Sequence, residues 1–223
     1  GDARPRTRAV SVEAALASAE SGLVAAAARL ADAAVVDGRL SVDGDPLTAA
    51  RLEDAASEAA GGVAATIETR QGTLRAGEPI GITLGPHVDG AIAPLSRTLV
   101  VDASGGWERR AAVAVEMAHD AVRRVAEPGV PARRIVDEAV AELGAYGLAV
   151  DDGGVAHGIG VDIDFSTDAQ LDAGQRFALD PAARDPDPET DRGRIRIGGW
   201  YVLTESDCRP LSQLPTSLSP DAY

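Results

Sequence analysis

The order in which helical and alternating patterns of apolar residues follow one another is the strongest constraint on the fold of this chain. Four segments carry apolar residues at helical spacing: about 10–35, 46–60, 107–126 and 131–144. Strand-like patterns fill the segments between and after them: 63–69, 78–84, 97–102, 155–164, 175–180 and 193–204. Because no low-complexity linker separates these blocks, we predict a single α+β domain over residues 1–223.

The composition limits what can fill the core of such a domain. Hydrophobic residues make up 45% of the chain but aromatic residues only 3%, and 24 residues are glycine. We therefore predict a core of Ala, Val, Leu and Ile, with close backbone approaches at glycine. No apolar run approaches the roughly 20 residues of a membrane span, so we expect no membrane partner. The lone Cys208 excludes an internal disulfide framework and a cysteine-rich zinc site.

The charge balance narrows the class of partner and the environment. The chain carries 35 acidic and 21 basic residues, a net charge of −14, and every basic residue is arginine. Since contact with a nucleic-acid backbone requires clustered positive charge, we expect no nucleic-acid partner. A hydrated surface of like charges favours a halophilic protein, with an ordinary bacterium of GC-rich genome as the alternative. No signal-peptide pattern opens the chain, so we expect a cytoplasmic location.

Residues 153–164 contain one histidine, His157, between glycines and small residues. A lone histidine in such a setting is most often structural, so its meaning depends on the motifs around it. Six short motifs stand in this order along the chain: Leu74-Arg75-Ala76-Gly77-Glu78, Ser96-Arg97-Thr98, Glu127-Pro128-Gly129-Val130, His157-Gly158-Ile159-Gly160, Leu171-Asp172-Ala173-Gly174 and Arg194-Ile195-Arg196-Ile197. Each motif is weak evidence alone, and their common order carries the weight.

Together these motifs resemble the pita-bread metallopeptidase family, which includes methionine aminopeptidases, Xaa-Pro aminopeptidases and dipeptidases, and creatinase. The resemblance extends over about residues 8–218 and corresponds to the C-terminal catalytic domain of that family. It implies the pita-bread α+β fold, in which a curved antiparallel sheet is backed by helices.

Members of the family that this chain resembles hold two divalent metal ions with two Asp, one His and two Glu. The resemblance places these ligand positions, in chain order, on Thr83, Pro94, His157, Asp180 and Gly198. Hard divalent ions prefer carboxylate oxygens, and only His157 and Asp180 could still bind one. We therefore expect the dinuclear centre to be lost, with no catalytic residue, no cofactor-binding residue and no cofactor.

Another family position is altered as well. The substrate-contacting histidine seven residues beyond the metal-binding one falls on Asp164. One alternative is a mononuclear site in which His157, Asp180 and Asp164 hold a single Mn, Co or Zn ion, since one catalytic metal needs about three protein ligands. The other is structural, with His157 hydrogen-bonded to Asp180 or to the backbone. His119 is predicted near the outer face of its helix, and His87 in a polar turn.

The functional prediction is a peptidase-like protein that has lost its dinuclear metal site and is not an enzyme, with a cleft that binds a peptide or a protein. A divergent metallo-aminopeptidase or Xaa-Pro peptidase with a rearranged or mononuclear site is the alternative, as is a metal-free lyase-like or isomerase-like activity. Ser96 is expected to be structural, because no histidine stands near it in sequence to activate its hydroxyl. Association into a homodimer is left open.

Overall fold

The computed structural model describes residues 11–150, 154–187 and 189–223. It contains a helix at each of the four predicted places: α1 Val12–Ala31, α2 Ala49–Ala59, α3 Trp107–Val125 and α4 Arg133–Ala145. A short 3₁₀ turn follows at Pro220–Ala222. Residues 8–10, with which the predicted resemblance and the first predicted helix begin, and residue 153 of the histidine segment lie outside the described residues.

The strands are short. In chain order they are β1 Ala34–Val36, β2 Arg39–Val42, β3 Asp45–Pro46, β4 Ala65–Thr69, β5 Ile80–Leu84, β6 His87–Val88, β7 Ala91–Ile92, β8 Leu95–Leu99, β9 Ala149–Val150, β10 Ala156–Gly158, β11 Arg176–Leu179, β12 Ala182–Arg184, β13 Arg194–Arg196, β14 Gly199–Leu203 and β15 Cys208–Pro210.

Every strand pairing among the described residues is antiparallel. Three sheets have the orders β4-β5-β8, β13-β12-β9 and β10-β11-β14-β15. Another three-stranded sheet has the order β1-β2-β3, and β6 and β7 form a two-stranded sheet. Helices together with antiparallel sheets confirm the predicted α+β class.

Helix α1 shows how the local sequence sets an element. Ser11 caps it, because Ser11 Oγ accepts a hydrogen bond from Ala14 N at 3.1 Å. Its buried residues recur every three to four positions and face the core. A Cβ added at Gly22 would lie 2.8 Å from Ala56 O, so α1 and α2 approach as closely as they do because this position has no side chain.

The same helix corrects one expectation from the sequence. Helix α1 has 20 residues and a mean hydropathy of 1.2, which meets the length and composition of a membrane-spanning helix. The prediction that no apolar run approaches that length is therefore wrong. Core helices meet the same criteria, and the inward face of α1 is buried against α2 and the β4-β5-β8 sheet.

Two clusters of buried apolar residues fill the core. One joins α1 and α2 to the β4-β5-β8 sheet and includes Leu23, Ile82 and Leu95. The other joins α3 and α4 to strands β11–β14 and includes Val115 and Ile135. Ala, Val, Leu and Ile make up most of both clusters, as the composition predicts.

Three predicted strands differ from those observed. The segment 97–102 overlaps β8, which begins at Leu95 and already ends at Leu99. The segment 155–164 is a strand only as far as Gly158, because the chain then turns through Gly160, whose φ of 68° favours glycine. The segment 193–204 is divided into β13 and β14 by Ile197 and Gly198. This break lies at the centre of the site described next.

Candidate functional site

Ser96 lies beside several of the residues that the sequence resemblance assigns to the metal-ligand positions of the family. In the pairing of β5 with β8, Thr83 is directly opposite Ser96. The backbone of Gly198 reaches the same residue, because Gly198 N donates a hydrogen bond to Ser96 O at 2.9 Å. Pro94 lies just before β8 and two residues from Ser96, so its side chain is on the same side of the chain as that of Ser96. We call Thr83, Pro94, Ser96, Asp180 and Gly198 the Ser96 site.

Asp180 completes this group from another sheet. It directly follows β11, and its backbone N–H donates to Val155 O at 2.7 Å. Ser96 Oγ donates a hydrogen bond to Asp180 Oδ1, and Arg196 Nη1 lies 3.7 Å from Asp180 Oδ2. Burial raises the pKa of Asp180 above its ordinary value, while Arg196 and the Ser96 hydrogen bond oppose the rise. Both carboxylate oxygens therefore already face a protein partner.

The surroundings of Gly198 leave no space for a side chain at this position. A Cβ added here would lie 2.8 Å from Asp180 Oδ1 and 2.8 Å from both Ser96 N and Ser96 Oγ. Since Cβ atoms do not approach other heavy atoms so closely, even an alanine would have to displace its neighbours. The contact between Ser96 and Asp180 thus closes the position that carries a glutamate in the family.

His157, the remaining family position, lies at the edge of the Ser96 site. It is on β10 opposite Ala178, two residues before Asp180. Its side chain is half-buried, and its Nε2 lies 3.0 Å from Gly154 O. This is the backbone hydrogen bond that the structural interpretation of His157 requires.

Asp164 makes its contacts elsewhere. It lies in a turn beyond β10, where Asp164 Oδ1 accepts hydrogen bonds from Ser166 N at 2.9 Å and from Ser166 Oγ at 2.6 Å. These hydrogen bonds lower the pKa of Asp164. Across residues 11–150, 154–187 and 189–223, no three His, Cys, Asp or Glu side chains come close enough to hold a metal ion. The trio of His157, Asp180 and Asp164 is therefore not assembled in this structure.

The donors at the Ser96 site do not fit two divalent metal ions. Such ions take carboxylates and other hard oxygen ligands, and two of them bring about four positive charges that the ligands must balance. The one carboxylate, that of Asp180, is hydrogen-bonded to Ser96 and faces the Arg196 cation. Thr83 offers only a hydroxyl, and the carbonyl of Pro94 accepts a hydrogen bond from Trp200 Nε1 at 2.8 Å.

Arg97 holds the backbone of this region together. It is 2% exposed, and its Nη1 donates to Ser96 O at 2.7 Å and to Gly198 O at 2.5 Å. Its Nε donates to Pro215 O at 2.8 Å. One guanidinium thus satisfies the buried carbonyls of Ser96 and Gly198 and also attaches the segment around Pro215 to the site.

His119 lies behind the Ser96 site. A Cβ added at Gly199 would lie 3.4 Å from His119 Cε1, whereas a Cβ added at Gly198 would contact Asp180. Because successive residues of an extended segment face opposite sides, His119 and Asp180 lie on opposite sides of this segment. His119 is 8% exposed, although the sequence placed it near the outer face of its helix. That prediction is wrong because β13 and β15 cover this side of α3.

The burial of His119 and its two hydrogen bonds indicate which protonation state and tautomer its ring adopts. Burial is the main reason that its pKa falls from 6.5 to about 4, so the ring is neutral at pH 7. Its Nε2 donates to Ile197 O at 2.7 Å, and its Nδ1 accepts from the Tyr201 hydroxyl at 2.8 Å. With both ring nitrogens satisfied inside the protein, His119 acts as a structural residue.

The partners of Asp180 were not predicted from the sequence. Ser96 was expected to be structural, and Arg196 was noted only as part of the motif Arg194-Ile195-Arg196-Ile197. A signal was available, because Ser96 follows Pro94 by two residues and Arg196 precedes Gly198 by two. In extended chain, residues two apart share a face, so both side chains belong beside the family positions.

The fold and the site together define a class of protein. Antiparallel sheets backed by two helix pairs, with a His-Gly-Ile-Gly strand beside a buried carboxylate, form the pita-bread architecture. A family model described as metallopeptidase family M24 matches residues 25–205. The chain belongs to this family, and the predicted family and fold are confirmed.

Solved structures of the same fold are similar over nearly the whole chain. A prolidase from Pyrococcus horikoshii has a TM-score of 0.75 at 17% identity and covers 93% of this chain and 62% of its own. The X-Pro aminopeptidase from Thermotoga maritima has 0.74 at 17%, with 92% and 61% covered. A dipeptidase from Mycobacterium ulcerans has 0.68 at 22%, with 95% and 61% covered.

The chain therefore spans about three fifths of the length of these solved relatives. At such identities the likeness shows the fold alone. Comparison with curated protein sequences finds no significant match.

Proposed function

We propose that this chain is a non-catalytic member of the metallopeptidase family whose cleft binds a peptide or a segment of a protein. The observation that carries the proposal is the contact of Ser96 Oγ with Asp180 Oδ1 beside Gly198. This contact engages Asp180, the one carboxylate left at the assigned ligand positions. It also fills the space that a glutamate side chain at position 198 would need. A hydrolytic dinuclear centre has neither the donors nor the room in this arrangement.

Peptide binding is supported by the solved relatives and by an open face beside the Ser96 site. Those relatives are named as an X-Pro aminopeptidase, a prolidase and a dipeptidase, which makes a peptide the occupant to expect. A cavity of about 260 Å³ is lined in part by Gly81, which is two residues from Thr83 on β5. Gly81 and Thr83 therefore share one face of β5, and the cavity beside this face offers charged groups to a peptide.

Metal analysis tests the loss of the centre. The protein is dialysed against a chelator, Mn²⁺ or Co²⁺ is added back to a matched sample, and bound metal and hydrolysis of Xaa-Pro peptides are measured. We expect substoichiometric metal and no hydrolysis above the blank in either sample. Stoichiometric metal together with peptide cleavage would overturn the proposal.

Titration calorimetry tests the binding function separately. Short Xaa-Pro peptides are titrated into the metal-free protein, and we expect saturable binding without cleavage. A panel of such peptides that shows no heat of binding, at concentrations well above those of ordinary peptide recognition, would remove the peptide part of the proposal.

One observation favours a second candidate, a divergent peptidase with a single metal ion. Burial is the largest effect on the pKa of Asp180 and raises it, whereas Arg196, the Ser96 hydrogen bond and the charge interaction with His157 lower it. His157 and Asp180 therefore interact electrostatically, as two ligands of one metal ion would. A crystal soaked in Mn²⁺ distinguishes the two. Density bridging His157 and Asp180 would support the single-metal site, and its absence would leave the non-catalytic proposal.

A further inference from the structure

A cavity of about 260 Å³ opens between the β4-β5 pair and the β12-β13 pair. Five charged side chains line it, three cations and two anions: Arg70, Arg184, Arg194, Glu68 and Asp191. Cations therefore outnumber anions among the side chains that line the cavity, in a chain whose net charge is −14. We call this the arginine cavity.

Two of its arginines lie directly opposite each other. In the antiparallel pairing of β12 with β13, Arg184 is the Cα partner of Arg194, so both side chains leave the same face of the sheet. Like charges placed directly across a sheet destabilise it unless another group compensates them. Glu68 compensates one of them, because Arg194 Nη2 donates to Glu68 Oε1 at 3.1 Å.

Arg184 has no comparable partner. Its guanidinium makes no hydrogen bond and no ion pair with any residue in the described part of the chain. It is nonetheless held at the cavity, because its backbone is paired on both sides, with Arg194 and with Ala149. The Arg184 side chain is exposed at this edge of the cavity. An uncompensated cation on a backbone that is paired on both sides is suited to binding an anion.

Arg70 forms the opposite wall of the arginine cavity. Its Nη1 lies 3.7 Å from Glu78 Oε1, and its Nε lies 3.7 Å from Asp191 Oδ2. A Cβ added at Gly193 would lie 3.3 Å from Arg70 Cγ, so the absence of a side chain there lets Arg70 lie along the wall. The backbone of Gly193 has a φ of 76°, a conformation that favours glycine.

We propose that the arginine cavity binds a carboxylate, with Arg184 supplying the uncompensated charge. The planar donors of a guanidinium match the two oxygens of a carboxylate. At about 260 Å³ the cavity is smaller than the usual site of a drug-sized ligand, which suits one residue of a peptide or a small acid. The carboxylate is the C-terminus of a bound peptide or belongs to a free dicarboxylic acid. The peptide source rests on the proposed function, whereas the free acid does not.

Titration calorimetry with three probes tests the inference and separates the sources. The probes are N-acetyl-alanyl-proline with a free carboxylate, the same dipeptide as its C-terminal amide, and succinate. We expect the free acid to bind about tenfold more tightly than the amide, because hydrogen bonds to a charged group are strong and tenfold corresponds to ~1.4 kcal/mol. We also expect succinate to bind.

Two matched variants show whether Arg184 is responsible. Arg184→Gln is expected to abolish the preference for the acid and to weaken succinate binding by about tenfold. Arg124→Gln makes the same change of charge at an exposed position of α3 outside the cavity, and it is expected to alter neither. Thermal unfolding of both variants verifies that they fold.

The other outcomes show which of the two claims, the carboxylate site or the proposed peptide function, fails. If acid and amide bind equally, or if Arg184→Gln keeps the preference, the carboxylate site is overturned while peptide binding stands. If succinate binds through Arg184 but neither dipeptide binds, the carboxylate site stands and the proposed peptide function fails. If none of the probes binds, both claims are overturned.

Discussion

Ser96 and Asp180, 84 positions apart in sequence, are joined by a hydrogen bond from the serine hydroxyl to the aspartate carboxylate. The contact lies among the positions that the resemblance assigns to the family's metal ligands, and Arg196 is 3.7 Å from the second carboxylate oxygen. A buried carboxylate is costly unless its oxygens are hydrogen-bonded or paired with charge. In this protein, side chains from β8 and β13 supply both partners.

Removing the Ser96 hydroxyl is expected to show how much its hydrogen bond to Asp180 contributes to stability. We expect Ser96→Ala to lower the free energy of unfolding by about 1–3 kcal/mol, because a buried carboxylate oxygen loses its hydrogen bond. In an Asp180→Asn background the same change is expected to cost less, since a bond to a neutral amide is weaker. Urea denaturation of the four proteins gives the coupling, and a value near zero would contradict the contact.

A side chain at Gly198 is expected to destabilise the protein without restoring a metal site. Gly198→Ala places a Cβ 2.8 Å from Asp180 Oδ1, and we expect a loss of about 1–3 kcal/mol from overpacking. Gly144→Ala is the matched control, since it lies within α4 with open space around its Cβ position. We expect it to stabilise by about 0.5–1 kcal/mol. Equal melting temperatures of the two variants would count against the closed site.

His119 is expected to make stability depend on pH below neutrality. Its pKa is about 4 in the folded protein against 6.5 as the ordinary value, so between these values the unfolded chain binds a proton that the folded protein does not. Stability therefore falls as pH falls through this window, by up to about 3 kcal/mol from this group at ~1.4 kcal/mol per pH unit.

The variant His119→Gln keeps a donor and an acceptor but cannot titrate. Urea unfolding at about pH 7, 5.5 and 4.5 is expected to show a smaller fall for the variant than for the natural protein. The charged neighbours Arg97, Asp120 and Arg123 are unchanged by this substitution and act on both proteins alike. Parallel stability curves for the two proteins would show that His119 does not titrate as described.

Arg97 is expected to control the attachment of the segment around Pro215. Arg97→Lys cannot reproduce three hydrogen bonds from one planar group, so we expect a loss of at least ~2 kcal/mol and faster hydrogen exchange over residues 211–218. Arg209→Lys is the control, because its side chain is 64% exposed and should matter little. Unchanged exchange in this segment would argue against the role of Arg97.

Salt is expected to stabilise the chain as a whole. A net charge of −14 repels itself, and raising KCl from about 0.1 to about 2 M shortens the screening length to about 3 Å or less. We expect the midpoint of thermal unfolding to rise by several degrees, as the halophilic prediction requires. The same salt is expected to weaken binding at Arg184, which distinguishes screening from a general gain in stability. A midpoint that falls with KCl would contradict the halophilic prediction.

The sequence by itself determined the fold class and the family. Helical periodicity is a property of one segment, and all four predicted helices overlap α1–α4. Each motif is likewise a property of one segment, and the order of the motifs along the chain indicated the family that the comparisons confirm. The absence of carboxylates at Thr83, Pro94 and Gly198 could also be read directly, because it depends only on which residue stands at a position.

Most strands of two to four residues could not be predicted from the sequence. Strands such as β1, β9 and β12 are too short for alternation to be distinguished from chance. They form because a partner strand lies beside them, which the sequence of the segment does not show.

Only the tertiary structure decided what surrounds the family positions. It brought Ser96 against Asp180, placed Arg184 opposite Arg194, and buried His119 beneath Ile197 and Tyr201. The physical reason is that a periodic pattern relates a residue to its neighbours in sequence, whereas burial, charge pairing and hydrogen bonding depend on which distant element packs against it.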